Sequence, residues 1–269
     1  MADRARTGKE KRELTEAFRL ARDFLLHNRE DYVTALAAFR WPKLGQFNWA
    51  LDWFDEIAKG ARRDQLALWV VGEDGAETKL SFHQLAVRSS QIANYLRTLG
   101  MKRGDRLLLM LGNVPQLWET VLAAMKIGAV VIPTTTLLIG DDIPDRIARG
   151  GASYIISTPE HAGKFEQFGS TCTCIAVGQP IPGWRNYDAG YTASANFEPD
   201  GETSADDPLQ LYFTSGTTTK PKLVMHTHAS YPVGHLSTMY WLGLQPGDIH
   251  LNLSSPGWAK HSWRCFFAP

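Results

Sequence analysis

Hydrophobic and polar positions change period several times along the chain, and each change marks an element. Over 14–39 a charged face and an apolar face recur at helical spacing, and Trp41-Pro42-Lys43-Leu44-Gly45 breaks the run. Asn48 stands where it can cap a second helix carrying Trp49, Trp53, Phe54 and Ile57. Strand-like runs at 65–71 and 77–80 flank the turn signal Glu73-Asp74-Gly75. Ser81 and Gln84 form a capping-box pattern. Behind it Phe82, Leu85, Ala86, Ile92, Ala93, Leu96 and Leu99 share one helical face, and Gly100 supplies the stop. Then come a strand at 106–110, a helix at 115–127 closed by Gly128, a strand at 129–132, a helix at 143–149 and a strand at 154–157. This β-α-β-α-β order predicts an α/β fold with a mostly parallel sheet flanked by helices. No glycine fingerprint opens either crossover helix, so no dinucleotide site is expected there. The stretch 179–207, rich in Pro, Gly, Asp and Ser, reads as a long connection. Beyond it lie strands at 211–213 and 223–225 and a helix from 231 or 233 to 240. A turn at Gln245-Pro246-Gly247-Asp248, a strand at 249–253 and a helical start over 258–267 complete the pattern.

Between the strands at 211–213 and 223–225 runs a loop of small hydroxyl residues, Thr214-Ser215-Gly216-Thr217-Thr218-Thr219, closed by Lys220-Pro221-Lys222. Small side chains let backbone N–H groups converge on an anion, hydroxyls add donors, and lysine adds charge, so the loop suits phosphate. It is not the Walker loop, because no glycine directly precedes a Lys-Ser/Thr pair. A polar hairpin turn has the same composition, and composition alone leaves both readings open.

The chain has 269 residues, enough for one large domain or two small ones. Its 28 basic and 28 acidic residues cancel, which gives no support to a nucleic-acid or membrane-surface partner. Three cysteines do not make a disulfide framework. Cys172 and Cys174 alternate with Thr and share one face of a strand; without further ligands they read as buried thiols, and a reducing cytoplasm fits best. The charged, mixed-sign start at 1–13 is not a secretory signal. The most apolar stretch, 121–133, is interrupted by Lys126 and Gly128, so no membrane span is expected. His226 and His228 have period-two spacing, but a metal site needs a third ligand, and a packed strand end is the expected role.

The ordered string Thr214-Ser215-Gly216-Thr217-Thr218, then Pro221-Lys222, then the apolar run and His226-Thr227-His228, resembles the AMP-binding signature of the adenylate-forming enzymes. These are the acyl-CoA synthetases, peptide-synthetase adenylation domains and luciferases. Gly104-Asp105-Arg106, Pro115 opening a helix, and Lys126-Ile127-Gly128-Ala129-Val130-Val131-Ile132-Pro133 follow the family's N-terminal pattern. Ser255-Pro256-Gly257-Trp258-Ala259-Lys260 resembles the segment after the signature in medium-chain acyl-CoA synthetases. The resemblance covers 47–269 and implies part of the N-terminal domain of the adenylate-forming fold, preceded by a helical extension over 1–46.

The resemblance implies an AMP-forming acid–CoA ligase. Carboxylate attacks the α-phosphorus of ATP, pyrophosphate leaves, and the thiol of coenzyme A then displaces AMP from the acyl-adenylate. Mg²⁺ and lysine neutralise phosphate charge in the first step. On this reading Thr214, Ser215, Gly216, Thr217, Thr218, Thr219 and Lys222 hold the β- and γ-phosphates, and Lys222 is the signature lysine. The family usually has Gly where this chain has Thr219, which strains the loop if that position needs positive φ. His235, Gly257 and Trp258 are candidates for the acyl pocket; a helix surface is the alternative for His235 and core packing for Trp258, and a solvated surface is the expectation for Lys260 and His261. The resemblance places no metal on His226 or His228. The Gly257-Trp258 segment suggests a medium-chain, branched or small aromatic acid.

The family's Tyr-Gly-x-Thr-Glu-type segment is absent from the 269 residues, and its catalytic lysine belongs to a C-terminal domain that the resemblance does not reach. The expectation is therefore no catalytic residue here and no acyl-adenylate formation by this chain alone, with an uncovered apolar end at Trp263-Arg264-Cys265-Phe266-Phe267. Two other readings compete: a nucleotide- or phosphate-binding remnant without turnover, and a half-enzyme completed by a complementing C-terminal chain.

Overall fold

The computed structural model describes residues 8–214 and 220–269. Its centre is a seven-stranded sheet in the order β7-β6-β5-β3-β4-β8-β9. The strands are β3 (Arg106–Met110), β4 (Val130–Pro133), β5 (Tyr154–Ser157), β6 (Thr173–Ala176), β7 (Arg185–Asn186), β8 (Pro208–Thr214) and β9 (Lys222–Thr227). All neighbours from β7 to β8 are parallel, and only the β8–β9 hairpin is antiparallel. A separate antiparallel pair, β1 (Leu66–Val71) and β2 (Glu77–Ser81), forms the hairpin expected around Asp74-Gly75.

A strand buried on both faces must be apolar throughout, and β3 reads Leu-Leu-Leu-Met after Arg106. Leu107 and Leu109 join the larger core with Val131 and Ile156. Leu108 and Met110 join the smaller one with Val130, Ile132 and Leu211. The larger core is covered by α4 (Phe82–Thr98) and α5 (Pro115–Ile127). The smaller is covered by α6 (Asp142–Gly150), through Ile143 and Ile147, and by Phe165, just past the short α7 (Pro159–Ala162). Cys172 and Cys174 share that second face as expected, and burial pushes the Cys174 thiol up to about 11. The capping box at α4 forms in both directions, and Gly128 closes α5 in the left-handed region.

Several expectations are corrected. The N-terminal helix is two: α1 (Gly8–His27) and α2 (Tyr32–Ala38), parted where Asp31 caps the second by accepting from the Thr34 N–H. Asn48 does cap, accepting from the Ala50 and Leu51 N–H groups, but the turn it opens is π-helical, Trp49–Phe54, and leads into the short α3 (Asp55–Lys59). The connection over 179–207 carries β7 and a 3₁₀ turn, Tyr187–Thr192. The helix after the signature is broken at His235 into α8 (Ser230–Gly234) and α9 (Leu236–Leu242), where Pro232 and Gly234 weaken a continuous helix. No strand forms at 249–253. Its alternation is real, with Ile249, Leu251 and Leu253 at 71%, 78% and 88% exposure, but no described strand pairs with it. The apolar end is packed rather than bare: Phe266 and Phe267 are buried, and Phe267 meets Trp49 edge-on at 5.2 Å.

Two buried charges sit on α5, a helix with all eleven residues from Leu117 to Ile127 buried. Lys126, which interrupts an apolar run in the sequence, meets Asp55 at 2.8 Å and donates to Ser90 Oγ at 2.9 Å. Glu119 accepts from Tyr191 Oη at 2.7 Å and Arg88 Nη1 at 3.2 Å, and burial holds its carboxyl above the usual range. No helix among the described residues is long and apolar enough to cross a membrane.

Candidate functional site

In an open parallel sheet, ligands gather outside the carboxyl ends of the strands. Here β3 is followed by Leu111-Gly112-Asn113, β4 is followed by Thr134-Thr135, and β8 ends at Thr214. Thr214 pairs with Lys222 across the β8–β9 hairpin, so the stem of the phosphate-type loop opens at this end of the sheet, one strand from β4. Lys222 is exposed and Thr214 half-buried. Ser215, Gly216, Thr217, Thr218 and Thr219 lie outside the described residues, so the question of strain at Thr219 stays with the sequence.

Gly257 brings the medium-chain-like segment to the same end. Its φ is +92°, and a Cβ built there would lie 2.2 Å from the Thr135 nitrogen. Only glycine fits both the left-handed backbone and that approach. Trp258 then caps α10 (Ala259–Ser262), and at 56% exposure its side chain is outside the core. Core packing is thereby set aside for Trp258, while a pocket wall remains compatible with its position.

The segment 259–267 is fastened to the sheet and α5 by several polar contacts. Ser262 Oγ lies 2.6 Å from Tyr212 Oη on β8, and Tyr231 Oη donates to the Ala259 carbonyl at 3.2 Å. His261, expected on the surface, is buried; its Nε2 lies 3.2 Å from Asn113 Oδ1, beyond β3, and its ring packs on Trp118 at 5.7 Å. Burial holds this imidazole down at about 4, so it is neutral at pH 7. Lys260 is exposed as expected. No local sequence signal announces the burial of His261, which its contacts with Asn113 and Trp118 bring about.

His235 sits at the α8–α9 joint inside an aromatic cluster. Its ring stacks on Trp263 at 5.2 Å and meets Tyr231 edge-on at 4.8 Å; Nδ1 lies 2.9 Å from Thr238 Oγ1. Burial, with His226 nearby, holds it at about 4. His226 stacks on the other side of this cluster, 4.1 Å from Tyr231. His228 is fully buried, and neither ring nitrogen has a hydrogen-bond partner among the described residues. The two histidines thus differ in environment, and no group of three metal-type ligands occurs among the described residues. An open concavity of about 580 Å³ lies at the opposite end of the sheet near Lys102, Ser153 and Thr173, away from the signature hairpin.

Similarity to known proteins covers the same stretch of chain. A family model described as AMP-binding enzyme matches residues 54–269. The 4-hydroxybutyrate–CoA ligase 1 of Metallosphaera sedula is 38% identical over 229 residues, 84% of this chain and 40% of that protein. The human mitochondrial acyl-coenzyme A synthetase ACSM5 is 33% identical over 233 residues, 82% of this chain and 40% of that protein. A crystal structure of an acyl-CoA synthetase from Brucella canis superposes with a TM-score of 0.76 at 24% identity, over 86% of this chain and 44% of that one. The chain therefore spans about 40% of the length of these curated relatives. With its signature hairpin at the carboxyl end of a parallel sheet and a family match over most of its length, the chain belongs to the AMP-binding enzymes.

Proposed function

We propose that this chain carries the phosphate-holding part of an AMP-forming acid–CoA ligase. The observation that supports the reading is the Thr214–Lys222 hairpin stem, open at the carboxyl end of the parallel sheet beside β4. Thr214, the loop 215–219 and Lys222 hold the β- and γ-phosphates of ATP while a carboxylate attacks the α-phosphorus. Coenzyme A is the second substrate. Mg²⁺ enters with ATP as its complex. A charge-assisted contact from Lys222 is worth roughly 1.5–3 kcal/mol.

His235, Gly257 and Trp258 are the acyl-side candidates. Gly257 fixes the backbone against Thr135, and Trp258 offers an aromatic wall at the same end of the sheet. His235 is the more remote, held in its aromatic cluster. A medium-chain, branched or small aromatic acid is the proposed substrate class. We divide the chain into a helical extension over 1–46 and part of an AMP-binding domain over 47–269. Three cysteines, none in a disulfide among the described residues, support a reducing compartment, with the cytoplasm as the proposed one.

The test is MgATP binding together with ATP–pyrophosphate exchange in the presence of candidate acids. For the 269-residue polypeptide by itself the expected result is binding without exchange. Exchange catalysed by pure protein would overturn the second part, and absence of any MgATP or pyrophosphate binding would overturn the first. The exposed Ile249, Leu251 and Leu253 favour a second reading, in which further polypeptide covers this strip and completes an active enzyme.

A further inference from the structure

Helix α6 reaches across β8 to the far leg of the signature hairpin. Arg149, near its end, donates Nη2 to the Pro221 carbonyl at 2.7 Å. The same guanidinium donates Nη1 to Asp145 Oδ2 at 2.8 Å, one helical turn back. Its Cζ lies 5.3 Å from the centroid of Phe213, and that of Arg146 lies 4.7 Å from the same ring. Phe213 is the residue before Thr214, and Pro221 is the residue before Lys222. One side chain therefore touches both legs of the hairpin just outside the loop.

These contacts are not imposed by burial, because 35% of the Arg149 side chain is exposed. A planar fork with several fixed donors can hold a helix carboxylate and a strand carbonyl at once, over an aromatic face. Lysine has no such fork. We infer that Arg149 is a positioning residue for the phosphate-holding hairpin: it fixes the backbone at Pro221, and so the start of β9 at Lys222, against α6. The inference rests on the phosphate reading of this loop. Without the clamp the β9 leg is an edge strand held on one side only. It must then be ordered when phosphate binds, which lowers affinity without unfolding the sheet.

The experiment compares wild type, Arg149→Ala and Arg149→Lys in two readouts. The first is backbone hydrogen exchange of the ligand-free protein over 211–227, with peptides from β3 and β5 as internal controls. The second is calorimetric affinity for magnesium pyrophosphate. Expected for Arg149→Ala are faster exchange confined to the hairpin and affinity about 3- to 10-fold weaker, the loss of one hydrogen bond's net worth. Arg149→Lys keeps the charge but not the fork and is expected to resemble Ala more than wild type. Unchanged exchange over 220–224 in Arg149→Ala, with wild type still binding pyrophosphate, overturns the clamp alone. Faster exchange with unchanged affinity overturns the positioning role and leaves a purely structural contact. No pyrophosphate or MgATP binding by wild type overturns the phosphate reading itself, and the role given to Arg149 with it.

Discussion

Mild acid destabilises this protein through histidines buried without a place for a second proton. His228 lies just past β9, fully buried, with neither ring nitrogen hydrogen-bonded among the described residues. Its backbone N–H donates to the Asp207 carbonyl, and Arg103, paired with Asp207 at 3.2 Å, adds a repelling charge. Burial first, and Arg103 second, hold the imidazole at about 3 against an ordinary 6.5. The unfolded chain takes up a proton below pH 6.5 and the folded one does not. Stability is therefore fully present above pH 6.5 and is lost as pH falls toward 3. At pH 5, 1.5 units below the ordinary value, His228 costs about 2 kcal/mol. His261, held at about 4 by burial, costs about 2 kcal/mol more by the same reasoning. Against a typical margin of roughly 5–15 kcal/mol this is a large loss. Glu119 and Asp55 act the other way. Burial raises both carboxyls, so the folded state gains stability from them as pH falls. The His228 share is isolated by His228→Leu, which cannot titrate, with urea unfolding at pH 7.5, 6.5, 5.5 and 5.0. The free-energy gap between variant and wild type should be constant above pH 6.5. It should then move by about 2 kcal/mol in favour of the variant by pH 5. Parallel stability curves down to pH 5 would refute the reasoning.

Other perturbations have equally definite outcomes. Asp55→Ala strands the buried Lys126 ammonium and should cost about 3–5 kcal/mol in chemical denaturation, whereas Asp55→Leu combined with Lys126→Met should restore most of it; equal losses in both would count against a buried pair. Gly257→Ala places a Cβ 2.2 Å from the Thr135 nitrogen at a φ of +92°, so it should lower the thermal midpoint and disturb the β4 end; an unchanged midpoint would show that the approach is looser than described. Lys222→Ala, at an exposed position, should leave the urea midpoint unmoved while weakening magnesium pyrophosphate binding by roughly 1.5–3 kcal/mol, and a shifted midpoint would mark Lys222 as structural.

Where local chemistry decides an element, the sequence shows it. The capping box of Ser81 and Gln84, the Pro115 start and Gly128 stop of α5, and the apolar run of β3 all sit where their patterns place them. Where a distant partner decides, the pattern misleads. The alternation at Ile249, Leu251 and Leu253 is that of a strand, yet without a paired neighbour its backbone stays irregular. The run Trp263 to Phe267 looked uncovered because its partners Trp49, Trp118 and Tyr231 lie far back in the chain. Lys126 and Asp55 are 71 residues apart, and no local spacing announces their pairing. In the candidate site the hairpin stem followed from the motif. His261 and Arg149 did not, since each acts through contacts to Asn113 or Pro221 that only the tertiary fold creates.

The central claim is that the signature hairpin holds phosphate, and calorimetric titration of wild type and Lys222→Ala with MgATP tests it most directly. The account expects saturable binding by wild type, weakened about 10-fold or more in the variant while its urea midpoint is unchanged. No binding by wild type, or equal binding by both proteins, would contradict it.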